Sequence, residues 1–155
     1  MGKSRNKPKI SALLLDIRSL HNVGSIFRTA DGAGVQKLYL CGETGYPPRD
    51  EIAKTALGAE DTVPWEYWIG AVDCIHKLRE EGVRLVALER VRGSVDYRAY
   101  RPKGSICLIV GNEVRGLPPS ILKLCDATIS MPMRGQKRSL NVAVAFGIAA
   151  YALAG

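Results

Sequence analysis

The last third of this chain, SICLIVGNEVRGLPPSILKLCDATISMPMRGQKRSLNVAVAFGIAAYALA (residues 105–154), decides how the rest is read. Two apolar runs, residues 106–110 and 127–131, each give way at once to a polar loop carrying glycine. Short apolar runs bounded by turn residues are the pattern of strands buried on both faces. The first loop, residues 111–116, reads Gly-Asn-Glu-Val-Arg-Gly, and the second, residues 132–138, holds Arg134, Lys137 and Arg138. The second loop opens into an almost wholly apolar helix over residues 139–154, with Ser139 and Asn141 at its mouth. In an open α/β sheet, ligands bind beyond the carboxyl ends of the strands. One acidic and one basic loop of this kind make the stretch the first candidate for a site.

Working back from it, the same alternation runs through the chain. Residues 10–15 form an apolar run ending at Asp16, and Val23, Ile26, Phe27 and Ala30 then recur at helical spacing. Asn22 is the expected N-cap of that helix, Gly32 and Gly34 its stop, and Ser25, Arg28 and Thr29 share its polar face. A strand over residues 36–41 follows, then a loop rich in Gly and Pro over residues 42–49 and a short helix over residues 50–57. Residues 62–68 (TVPWEYW) read as a short strand, whose Trp65, Tyr67 and Trp68 either anchor packing or stack on bases. An amphipathic helix over residues 70–80, a strand over 83–88, a charged loop over 89–103 and a helix over 118–124 complete the order. The pattern predicts an α/β fold, a mostly parallel sheet with helices on both faces. Residues 1–9, with Lys3, Arg5, Lys7 and Lys9, read as a flexible basic arm ahead of a single domain over residues 10–155.

Composition narrows the partners. The chain has 155 residues, 46% hydrophobic and 24% charged, and a formal charge of +7. That balance favours a polyanion, nucleic acid before an anionic membrane surface. Cys41, Cys74, Cys107 and Cys125 are far apart with no CxxC spacing, which argues against a metal site. They are expected to be buried, reduced thiols of a cytosolic protein, because the basic, polar N-terminus does not read as a signal peptide. The last helix falls short of the roughly 20 residues a membrane span needs, so no membrane role is expected. Neither GxGxxG nor GxxxxGK[ST] occurs. With only His21 and His76, and no evident carboxylate pair, a reactive group is expected to come on a cofactor.

Three motifs carry a resemblance. Asn22-x-Gly24-x3-Arg28, Gly111-Asn112-Glu113-x2-Gly116 and Met131-Pro132-x6-Ser139-Leu140-Asn141-Val142-Ala143-Val144-Ala145 occur in that order. Together they resemble the signature motifs of the SpoU (TrmH-like) RNA methyltransferases, over nearly the whole chain. The resemblance implies S-adenosylmethionine-dependent methylation of a ribose 2′-hydroxyl in tRNA or rRNA. It also implies a SPOUT fold with a C-terminal trefoil knot, and a homodimer. The chain has no separate RNA-binding domain ahead of the first motif, so a minimal catalytic core is expected.

By the same resemblance Arg28, Asn22, Glu113, Ser139 and Asn141 form the catalytic set. Arg28 either helps to deprotonate the ribose hydroxyl or holds the adjacent phosphate; a guanidinium is a reluctant base, which favours the phosphate. Asn22 orients Arg28 or the substrate, or simply caps its helix, and Ser139 is as well explained by capping as by catalysis. The cofactor is expected against Leu88, Gly111, Asn112, Gly116, Met131, Pro132 and Leu140. Arg134, Lys137, Arg138, Arg90 and Arg92 are placed to grip RNA phosphates. The alternatives are an RNA-binding module that keeps the fold without catalysis, and a knotted methyltransferase acting on a base.

Overall fold

A computed structural model describes residues 7–155. Seven strands form one sheet in the order β3-β2-β1-β6-β4-β7-β5. They are β1 (Lys9–Leu15), β2 (Leu38–Cys41), β3 (Trp65–Trp68), β4 (Arg84–Leu88), β5 (Val95–Asp96), β6 (Ser105–Val110) and β7 (Ala127–Ser130). Every neighbouring pair is parallel. Parallel strands need crossovers; α1 (Leu20–Ala33), α2 (Asp50–Ala56), α3 (Ala59–Thr62), α4 (Ala71–Glu80) and α5 (Pro119–Leu122) supply most of them. Loops link β4, β5 and β6, and α6 (Val142–Ala154) follows the last strand. The predicted fold class is therefore observed.

Alternation along each strand splits the core into two layers. Ile10, Ala12 and Leu14 of β1, with Ile106, Leu108 and Val110 of β6, pack toward Phe27 of α1 and Phe146 of α6. Leu13 and Leu15, with Cys107 and Ile109, pack toward Cys74, Ile75 and Leu78 of α4 and Ile121 of α5. Both layers are built of buried apolar residues, which is why the strands read as continuous apolar runs. Cys41, Cys74 and Cys107 are buried free thiols, and Cys125 is half-buried. No helix among the described residues is long and apolar enough to cross a membrane.

The strand order places the site. The chain winds outward from β1 through β2 to β3, then crosses to the other half and returns β6 beside β1. The loops after β1 and β6 thus lie together where the winding reverses, and the loops after β4 and β7 lie next to them. Glycine serves the packing of α1 at one point in particular: a Cβ on Gly24 would collide with Thr55 and the Ile52 carbonyl of α2.

Several boundaries differ from the sequence reading. Residues 1–6 of the expected arm lie outside the described residues, and Lys9 belongs to β1. Asn22 does not cap α1; Ser19 does, its hydroxyl accepting the Asn22 N–H at 3.1 Å. Helix α6 begins at Val142 with Asn141 as its N-cap, so Ser139 lies in the preceding loop and caps nothing. The charged loop over residues 89–103 contains β5, a two-residue edge strand paired with β7.

Candidate functional site

The loop after β6 is held rigid by its own asparagine. Buried Asn112 accepts the N–H groups of Val114 and Arg115, both at 2.9 Å, and donates to the Asp16 carbonyl at 2.8 Å. An Asx turn of this kind leaves the next side chain no choice of direction. Glu113 consequently reaches the first turn of α1, accepting from Ser19 N–H at 2.9 Å and Arg18 N–H at 3.2 Å. Helix N-termini leave N–H groups unpaired, and a carboxylate satisfies them with favourable charge.

Three motif residues then join in one line. Asn22 donates from Nδ2 to Glu113 Oε2 at 3.4 Å, and its Oδ1 accepts from Asn141 Nδ2 at 3.3 Å. Asn141 Oδ1 in turn accepts the Ala143 and Val144 N–H groups at 2.9 and 3.3 Å, capping α6. Each amide's two ends are thereby assigned different work. Burial pushes the Glu113 carboxyl up, but the N–H groups of Ser19, Glu113 itself and Arg18, with the Asn22 amide, outweigh it and leave the pKa lowered. Glu113 is held as an anion.

Beside this line lies a cavity of about 210 Å³ between the loops that follow β4, β6 and β7. Leu88, Gly111, Asn112, Gly116, Met131 and Leu140, all expected at a cofactor site, line it. Arg90, Arg138, Glu113 and Ser139 line it too, with Arg90 donating to the Arg138 carbonyl at 3.0 Å. Its wall is thus apolar on one side, backbone-rich along residues 111–116 and charged at the rim. That mixture suits a cofactor that joins a purine to a charged amino-acid end.

Other expected residues fall elsewhere. Pro132, Arg92, Arg134 and Lys137 are exposed but do not line the cavity. Arg28 is the larger departure. It projects from the outer face of α1 into a second, more open depression with His21, Ser25, Thr29, Lys54 and Tyr151. One chain does not bring Arg28 to the inner cavity.

Two residues escaped the sequence reading. Ser19 was legible as a serine N-cap three residues ahead of Asn22, whose N–H it accepts, while its own N–H donates to Glu113. Glu89, the first residue after β4, lines the cavity and accepts the Leu117 N–H at 3.2 Å. Gly116 sits at φ +68, and any Cβ there would collide with the Glu89 carboxylate. Burial raises the Glu89 pKa against the lowering effect of the Leu117 N–H. Among the described residues no cluster of His, Cys, Asp and Glu could hold a metal ion.

The SpoU rRNA Methylase family matches residues 9–151. The 23S rRNA (guanosine-2′-O-)-methyltransferase RlmB of Shewanella oneidensis is 34% identical over 139 residues, covering 88% of this chain and 55% of that protein. The chain spans about half the length of the curated relatives it matches. A crystal structure of an rRNA methyltransferase from Sinorhizobium meliloti with AdoMet bound superposes with a TM-score of 0.88 at 34% identity, covering 95% of this chain and 56% of that one. A structure concerning 2′-OH methylation of C/U34 on tRNA superposes at 0.83 and 29% identity, covering 94% of this chain and 93% of that one.

Proposed function

The chain belongs to the SpoU rRNA Methylase family, and from that premise we propose that it methylates a ribose 2′-hydroxyl of tRNA or rRNA with S-adenosylmethionine. The observation that carries the reading is the line Glu113–Asn22–Asn141, which ties all three motifs together beside the inner cavity. The intact set Arg28, Glu113, Ser139 and Asn141 argues against an inactive RNA-binding module, whose catalytic positions would be free to drift.

Bound S-adenosylmethionine supplies an electrophilic methyl group, with the uncharged thioether as leaving group. The protein's part is to hold and orient. Leu88, Met131 and Leu140 would offer apolar surface to the cofactor, and the backbone of residues 111–116 would offer it donors and acceptors. Glu113 and Asn22 fix the first turn of α1 relative to that loop, so that an RNA strand lying over α1 meets the cavity in one register. Arg28 would bind the phosphate beside the target ribose and so position the 2′-hydroxyl, whose proton would pass to water. Such positioning alone supplies much of an enzyme's rate enhancement.

The same proposal takes in a homodimer. Val144, Ile148 and Tyr151 form an exposed apolar stripe on α6, 52%, 37% and 56% exposed. Tyr151 also lines the depression holding Arg28. Covering this stripe with a second copy would carry each Arg28 toward the partner's cavity. The proposal includes a C-terminal trefoil knot in the loops around the cavity, one catalytic domain over residues 10–155, and a cytoplasmic location. Arg134, Arg138, Lys137, Arg90 and Arg92 supply phosphate contacts on the RNA.

Incubation with methyl-labelled S-adenosylmethionine and RNA lacking the modification, followed by nucleoside mapping, tests the reaction. Label on a ribose 2′-oxygen is expected. Label on a base overturns the ribose assignment, and failure to bind the cofactor in calorimetry overturns the enzyme reading itself.

A further inference from the structure

The loop over residues 42–49, which follows β2, is the most firmly anchored surface loop outside the motifs. Thr44 is buried; its hydroxyl donates to the Leu14 carbonyl and accepts the Ile17 N–H, both at 3.0 Å. The Glu43 N–H donates to Asp16 Oδ1 at 2.8 Å, and Tyr67 Oη donates to the Gly42 carbonyl at 2.7 Å. A Cβ on Gly45 would strike Leu20, so the loop rests on the first turn of α1. Glu43 Oε1 lies 3.5 Å from Arg115 Nη2, bridging to the loop that lines the cavity. These anchors hold one aromatic ring out to solvent. Tyr46 is 45% exposed, yet its ring is backed by Tyr67 at 4.6 Å and Trp65 at 5.9 Å between centroids.

We propose that Tyr46 is a stacking platform for one base of the RNA strand that enters the site. Burying a tyrosine normally removes its ring from water, whereas here rigid backing keeps part of the ring available. A backed, immobile ring loses little entropy when a base stacks on it, and stacking tolerates any base because every base has a π-face. Arg18, Arg49 and Arg115 are exposed on the segments that bracket Tyr46, but so are Glu43, Asp50 and Glu51, and Arg115 is paired with Glu43. The ring itself, more than local charge, is what would hold a base. The platform stands at the carboxyl end of β2, on the same edge of the sheet as the cavity, and its loop touches both α1 and the loop of residues 111–116. Trp65 and Tyr67 of β3, the strand paired with β2, support the ring from below. The inference rests on the RNA methyltransferase reading and adds a base contact to a site otherwise described by phosphate and ribose.

The test is fluorescence anisotropy with a labelled single-stranded RNA of mixed sequence, about 12 nucleotides long, at fixed low salt. Tyr46→Leu keeps apolar packing against Trp65 and Tyr67 but has no π-face, and should weaken binding about tenfold, a typical loss for one stacked base. Tyr46→Phe and Tyr46→Trp should bind within about twofold of wild type on the same ground. S-adenosylmethionine affinity and melting temperature serve as controls for the loop's integrity. Wild-type binding by Tyr46→Leu overturns the inference and leaves the methyltransferase reading untouched. Equal loss in Tyr46→Phe also overturns it, by pointing to the hydroxyl. Failure of the wild type to bind the strand overturns the inference together with the RNA substrate.

Discussion

The two ends of α1 differ in kind, though they belong to one helix of 14 residues. At its first turn, Ser19 and Asn22 are locked by Glu113 and Asn141. Two turns on, Arg28 and its neighbours face an open depression, and Arg28 forms no ion pair with any described residue. The first region is complete in one chain and sets geometry. The second is a set of groups waiting for something to bind. Substitutions in the first should therefore damage stability and function together, and those in the second should damage function alone.

The largest effect is expected at the open end. Arg28→Ala should lower turnover at least about 100-fold by losing substrate positioning, with cofactor affinity and melting temperature unchanged. Single-turnover label transfer beside calorimetry checks this, and unchanged turnover removes Arg28 from the mechanism. Next comes Glu113→Ala, which leaves the Arg18 and Ser19 N–H groups without their acceptor. A loss of about 1–3 kcal/mol is expected, read by urea denaturation, with weaker cofactor binding in parallel. If only activity falls, the two ends are not different in kind.

Glu113 also makes a pH prediction. Its folded pKa is lowered, so its contribution to stability is complete above the ordinary carboxylate range and is lost as pH falls through the folded value. The stability gap between wild type and Glu113→Gln should close on acidification below about pH 4; a gap independent of pH contradicts an ionised Glu113. Asn141→Ala removes the α6 cap and the partner of Asn22, for about 1 kcal/mol, visible as a melting temperature lower by about 2–4 °C. The smallest effect has the opposite sign. The raised pKa of Glu89 means that its charge opposes folding above that pKa and not at acid pH. Glu89→Gln should thus melt about 1 °C higher at neutral pH, a figure reduced for solvent screening, and equal wild type near pH 4.

How much of this was legible in the sequence follows the range of the forces involved. Strands buried on both faces announce themselves locally, so β1, β2, β4, β6 and β7 stand where the apolar runs lie. Val95 and Asp96 of β5 have too few residues to show a period, and their pairing with β7 is a tertiary fact. Asn22 looked like a cap because its type and place suited one; Ser19, three residues earlier, already held that position. The motifs named Glu113, Asn22 and Asn141, but nothing local joins residues 91 and 119 apart in sequence. The cavity-lining set was likewise named largely by resemblance, with Pro132 the exception because it stands outside the lining. The position of Arg28 away from the cavity follows from helix geometry: it lies on the polar face, opposite Val23, Ile26 and Phe27, which are buried in the core.

The division between the two ends can be read in one titration. S-adenosylmethionine added to isotope-labelled protein, followed through backbone amide shifts, reports which region the cofactor enters. The account predicts large shifts at Leu88, Glu89 and Arg90, along residues 111–116 and around Met131 and Leu140, with Ser25, Arg28 and Thr29 unmoved. Shifts centred on Ser25, Arg28 and Thr29, or none at saturating cofactor, would contradict it.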